Sequence, residues 1–122
     1  MKAFDTRKER LVMKREQTHA FLNKLEPGTI LWDSWGWEQT NVEFYQVIER
    51  KGSLVQIVEL CHKTIPGSEG FMSDRVVPGD QTQGEPIWKM VRGPRITIND
   101  SVSLKIFPEE YKTNGVHRSW YA

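Results

Sequence analysis

One cysteine, Cys61, stands in a chain of 122 residues, so no internal disulfide can staple the fold. No apolar run approaches the roughly 18 residues that would suggest a membrane span. Net charge is nearly absent: 17 Lys and Arg face 16 Asp and Glu, for a formal charge of +1. That balance excludes both an all-over basic coat of the kind that holds DNA non-specifically and a strongly acidic nucleic-acid mimic. The stretch Met1-Lys2-Ala3-Phe4-Asp5 lacks the apolar core of a secretory signal, so a reducing cytoplasm is the expected location, with no membrane partner. Repeats and low-complexity segments are also missing.

Aromatic residues are what the chain has: five Trp, five Phe and three Tyr within 38% hydrophobic residues, enough for one modest core. The length fits a single domain, 1–122. Charge is polarised along it. Residues 1–26 carry seven basic and four acidic side chains (net +3), residues 27–85 four and nine (net −5), and residues 86–122 six and three (net +3).

Thr6 with Glu9 forms a capping-box pattern, and strong helix formers dominate as far as Leu25, so the sequence predicts a helix over 6–25. Leu11, Thr18, Leu22 and Leu25 fall near one face with Phe21 beside them. The polar run Lys14–His19 breaks the stripe, which leaves the C-terminal half as the packed part. Pro27-Gly28 stops the helix.

Beyond it the period changes to a β-rich body, 29–122. Strands are expected at Thr29–Trp32 and Val42–Glu49, and at Leu54–Leu60, which Lys51-Gly52-Ser53 joins to the preceding strand as a hairpin. Residues 62–74 and 78–86 read as loops around a brief strand at Arg75–Val77, followed by strands at Ile87–Val91, Arg95–Ile98 and Val102–Phe107. Asn114-Gly115 suggests a last hairpin folding Val116–Tyr121 back along Phe107–Tyr111. The expected fold is α+β: an N-terminal helix packed on a small, strongly bent antiparallel sheet or open β-barrel. A flat antiparallel sheet with the helix across one face is the alternative.

The segment Trp32–Asn41 places three tryptophans in six residues before Glu38, Gln39, Thr40 and Asn41. Trp35 and Trp37 offer flat faces for a base or a partner protein, Gln39, Thr40 and Asn41 offer donors and acceptors, and Tyr45 follows on the next strand. The competing reading puts Trp32 and Trp35 in the core, with Gly36 turning the chain and the polar residues satisfying the backbone. The string Ser34-Trp35-Gly36-Trp37-Glu38-Gln39-Thr40-Asn41-Val42-Glu43-Phe44-Tyr45-Gln46-Val47 resembles the signature of an uncharacterised family of small proteins of bacteriophages and other mobile elements. Looser likeness continues through Gly70–Ser73, Val76–Pro78, Gly84–Pro86 and Trp120-Tyr121-Ala122. The resemblance implies a phage or plasmid setting and a compact β-rich fold, and no reaction.

Signals for chemistry are weak. Cys61, His62, His19 and His117 show no metal-ligand spacing, so no metal or cofactor is expected, and Cys61 reads as a small buried hydrophobe. Cys61 and His62 face opposite ways on a strand and cannot act as a nucleophile pair. Asp33, Glu38 and Glu43 read as a solvated rim, and no Gly-rich loop continues into a Gly-Lys-Ser/Thr phosphate cradle. No catalytic constellation emerges. Three classes remain. The first is a protein-binding accessory factor, counter-defence or regulatory. The second is a nucleic-acid binder using Lys2, Arg7, Lys8, Arg10, Lys14 and Arg15 with Lys89, Arg92 and Arg95. The third is a small-ligand or nucleotide binder at the Trp-rich loop. The first is the leading expectation, with a homodimer plausible through an exposed sheet edge.

Overall fold

The computed structural model describes residues 3–120, with side chains from Arg7 onward. In chain order the elements are helix α1 (Ala3–Leu22), strands β1 (Ile30–Trp35), β2 (Asn41–Lys51), β3 (Leu54–Thr64), β4 (Ser73–Met90), β5 (Ile96–Thr97) and β6 (Ser103–Ile106), short helix α2 (Tyr111–Asn114) and strand β7 (Val116–Ser119). The fold is α+β, as the residue patterns suggest. Seven antiparallel strands run in the order β5-β6-β1-β2-β3-β4-β7, and the sheet bends without closing into a barrel.

The helix starts at Ala3, upstream of the expected cap; the Thr6 side chain lies outside the described residues, as do Lys2, Tyr121 and Ala122. Only its last turns pack. Phe21 and Leu22, with Leu25 just beyond, are buried, whereas residues 7–17 are exposed. Two polar contacts pin this end to the body. Arg50 Nη1 on β2 donates to the Leu22 carbonyl at 2.6 Å, satisfying an end-of-helix acceptor with a cation where the helix dipole favours one. The Gly93 amide donates to Thr18 Oγ1 at 2.6 Å.

Alternation along the strands gives the sheet two apolar faces. On one, Leu31, Tyr45, Val47, Val55 and Ile57 pack with Phe21, Leu22 and Leu25 of the helical end and with Ile96, Val102 and Leu104. On the other, Trp32, Val42, Phe44 and Leu60 pack with Val76, Phe107 and Val116, and Tyr111 joins from α2. Trp32 stacks edge-on against Phe107 and Tyr111. Each such side chain, fully buried, contributes roughly 1.5–3 kcal/mol. Because successive residues serve opposite faces, a one-residue slip of β2 would exchange Phe44 for Tyr45.

Two expectations fail at β4 and one at the C-terminal segment. Residues 78–86 are strand, not loop: β4 runs through Pro78, Gly79, Gly84 and Pro86 by inserting extra residues opposite β3, between Ile57 and Glu59 and again between Leu60 and His62. Such bulges absorb the glycines and bend the strand. A Cβ on Gly79 would meet the Cys61 carbonyl at 2.8 Å, so only glycine lets β3 and β4 approach there. β3 likewise continues to Thr64, which shortens the expected 62–74 loop. Asn114-Gly115 ends α2 instead of turning a hairpin, and β7 pairs with Ser73–Val76 of β4, not with 107–111. Gly115 adopts φ 70° as the helix cap, a backbone angle that a tight hairpin turn would also use.

Candidate functional site

The β1–β2 hairpin carries the Trp-rich segment, with residues 36–40 as its loop. Gly36 sits at φ +126°, and a Cβ there would lie 2.1 Å from the Gln39 carbonyl oxygen, so the turn requires glycine. The polar residues brace it. Gln39 Nε2 donates to Asn41 Oδ1 at 3.0 Å, and Asn41 Nδ2 donates to the Trp35 carbonyl at 3.4 Å. The Thr40 amide donates to Ser119 Oγ at 2.9 Å while the Ser119 amide donates to the Thr40 carbonyl at 3.0 Å, tying the loop to β7. Gln39, Thr40 and Asn41 therefore hold the hairpin, which is their part in the core-and-turn reading.

The tryptophans divide. Trp32 is buried and its Nε1 has no hydrogen-bond partner, while Lys105 Nζ lies over its ring at 5.1 Å. Trp35 is partly exposed, and its Nε1 donates to Glu43 Oε2 at 2.7 Å. Trp37 is fully exposed, at 101%. Tyr45, opposite Leu31 in the hairpin ladder, is buried in the face covered by α1, so it presents no stacking surface. Burial, followed by the carboxylates of Glu59 and Glu43, pushes its phenol up to about 12. Asp33 is buried, not a solvated rim: its carboxylate accepts the amides of Ser34 and Ser103 and lies 4.0 Å from Lys105 Nζ.

Beside the hairpin lies a groove of about 500 Å³ lined by Trp35, Asn41, Val42, Glu43, His62, Arg118, Ser119 and Trp120. It forms because β2 and β3 stop pairing at Phe44 and Leu60. His62 stacks edge-on against Phe44, and its Nε2 bonds the Val42 carbonyl in place of a backbone donor. Arg118 forms the far wall. Its Nε and Nη2 donate to the two Asp74 oxygens at 3.0 and 2.7 Å, Thr64 Oγ1 donates to Asp74 Oδ2 at 2.9 Å, and the guanidinium lies 5.5 Å from the Trp120 ring. Burial alone would raise the Asp74 carboxyl. The hydrogen bonds from Arg118 and Thr64 and the Arg118 charge outweigh it and hold the group below its ordinary value.

Phe71 extends the aromatic end. It is 88% exposed in the turn before β4, next to Met72, whose carbonyl accepts the Trp120 amide at 3.0 Å. Of the expected binding residues, the structure brings Trp35 and Asn41 to one groove, while Trp37 lines a separate shallow hollow with Trp35, Gly36 and Ser101. His62, Arg118, Ser119 and Trp120 come from β3, β7 and the residue after β7, and no spacing rule connects them to the loop. Trp120 alone carried a signal, as part of the terminal Trp-Tyr-Ala likeness.

The basic residues are distributed differently. Lys14, Arg15 and Arg92 line one hollow with Leu11, Thr18 and Val91, and Arg92 pairs with Arg95 as an isolated bridge. Lys89 lies within β4 opposite Val55. Among the described residues no group of three His, Cys, Asp or Glu side chains could hold a metal ion, and no helix is long and apolar enough to cross a membrane. Cys61 is half-buried, with its Sγ 3.5 Å from Gln83 Oε1. No family model, no curated protein and no solved structure matches this chain.

Proposed function

We propose that this chain acts by binding another protein with its aromatic end, as a small accessory protein without a reaction of its own. Trp37 carries the reading. It is wholly exposed at the tip of a hairpin that Gln39, Asn41 and Ser119 hold rigid. Burying a tryptophan covers roughly 150–250 Å². At about 25 cal/mol per Å², that leaves on the order of 4–6 kcal/mol unrealised in the isolated chain. An aromatic side chain on a braced turn is also what interface hot spots use, because Trp has only two rotatable side-chain bonds to order on docking. Trp35, Trp120 and Phe71 supply further apolar surface at this end. Glu38 beside Trp37, Glu43 in the groove and Glu69 near Phe71 disfavour phosphate and suit a neutral or basic protein surface. Within the phage or mobile-element setting that the Ser34–Val47 resemblance implies, the partner would be a host or phage protein in the bacterial cytoplasm, and the role counter-defence or regulation.

A photo-crosslinking residue at Glu38 tests this in host lysate. One specific protein adduct is expected, lost in Trp37→Ala while the melting temperature stays unchanged. No adduct, or one indifferent to Trp37→Ala, would refute the reading. The groove between Trp35 and Trp120, at about 500 Å³, also falls in the size range of small-ligand sites. A thermal-shift screen in which a nucleotide raises the melting temperature, and Trp120→Ala abolishes the rise, would favour small-ligand binding instead.

A further inference from the structure

The overhanging part of α1 and the 91–95 turn make a second surface, unlike the aromatic end. Residues 7–17 are exposed, yet their charges are not interspersed. At about 100° per residue, Arg7, Lys8, Arg10, Lys14 and Arg15 fall within an arc of about 160°, and Glu9 and Glu16 fall on the opposite side. The basic arc is the one that Thr18, Phe21 and Leu22 occupy further along, where they meet the body. The inner face of the helix is therefore apolar where it packs and basic where it leaves the sheet. There it faces Arg92: Lys14, Arg15 and Arg92 line a common hollow of about 250 Å³, with Arg95 opposite Arg92. Among the described residues the ion pairs are Lys51–Glu49, Lys105–Asp33, Lys112–Glu109 and Arg118–Asp74, so no carboxylate neutralises this corner. Solvation alone would be served by mixed signs on both sides of the helix.

We infer that this basic corner binds the phosphate backbone of a nucleic-acid duplex, without sequence readout. Charge complementarity identifies the ligand as a polyanion, and the corner's other features narrow it. Between Arg7 and Ala20 the helix carries no Trp, Phe or Tyr, so it lacks the stacking platform that single strands require. Leu11, Val12 and Met13 are exposed but consecutive, so they point in three directions and provide no apolar face for an anionic membrane. The helix is rigidly placed at its inner end by Arg50 and Gly93, so the cations keep a fixed spacing from Arg92.

Polarisation titrations of the whole chain with a labelled 20-base-pair DNA duplex test the inference. With four or five phosphate contacts, log K should fall against log salt with a slope of about −4, a loss on the order of 250-fold between 50 and 200 mM salt. Lys14→Glu, Arg15→Glu and Arg92→Glu should each weaken binding about tenfold and reduce the slope by about 1. Lys63→Glu, which makes the same change in net charge on β3, should leave both nearly unchanged. All four positions are on the surface, and unchanged melting temperatures would confirm folding. No binding at 50 mM salt, an equal effect of Lys63→Glu, a preference for the single strand, or tighter binding to phosphatidylserine vesicles would each overturn it.

Discussion

Replacing Asp74 by Asn isolates the charge that fixes the last strand. Asp74 and Arg118 are direct cross-strand partners of β4 and β7, and the Asp74 carboxylate accepts two hydrogen bonds from Arg118 and one from Thr64. Its side chain is 3% exposed and that of Arg118 28%. Breaking a fully buried ion pair costs about 3–5 kcal/mol, because the orphaned charge stays out of water. Arg118 can partly rehydrate, and Asn keeps one acceptor, so the expected cost is about 2–3 kcal/mol. For a domain of this size that lowers the melting temperature by roughly 8–12 °C. The pH dependence sets the sign. The native-state value of Asp74 is lowered, so its contribution is fully present above the unfolded-state value near 3.8 and is lost as pH falls through the lower folded value. Urea unfolding at pH 7 and again near pH 2.5 should show the gap between wild type and Asp74→Asn narrowing in acid. A gap below about 0.5 kcal/mol at pH 7, or one that does not narrow, would refute the reasoning.

Three other outcomes follow from the geometry. Gly36→Ala should cost about 1–3 kcal/mol, from a positive φ and the clash with the Gln39 carbonyl, and should weaken crosslinking through Glu38 as the hairpin tip is displaced; chemical denaturation and the adduct yield read both. Tyr45, with its phenol raised to about 12, should titrate well after a free tyrosine in ultraviolet absorbance, and the stability it contributes should be complete below pH 10 and lost as pH rises towards 12. Phe44→Ala should cost about 3–5 kcal/mol in the same unfolding assay, since Phe44 is wholly buried between Phe107 and His62.

What could be read from the residues is what local chemistry determines. Phe21 and Leu22 define the packed end of the helix, which stops at Leu22, ahead of the expected Leu25 and of Pro27-Gly28, and Gly52 between two β-branched runs defines the β2–β3 hairpin. β4 was hidden because Pro78, Gly79, Gly84 and Pro86 are loop residues by composition, whereas bulges opposite β3 accommodate them within one long strand. Asn114-Gly115 misled for a related reason: a helix cap and a hairpin turn demand the same positive φ, and only a distant strand decides between them. The loop tryptophans were legible as unusual, and Trp37 as a surface candidate. The groove beside them was not, because its second wall comes from residues 118–120, which pair with a strand that local patterns did not reveal.

The tie between Thr40 and Ser119 has a kinetic consequence. It joins positions 79 residues apart, and Asp74 with Arg118 spans 44. Contacts this far apart in sequence carry a large loop-closure entropy and form late relative to local hairpins. During synthesis the β1–β2 hairpin can therefore assemble with Trp37 already displayed, while the groove waits for β7 to emerge and dock. A ribosome-stalled chain ending before Val116 would show the aromatic tip without its second wall. The order in which the two parts become available is thus written into the strand order: first the hairpin tip, then the groove beside Trp35.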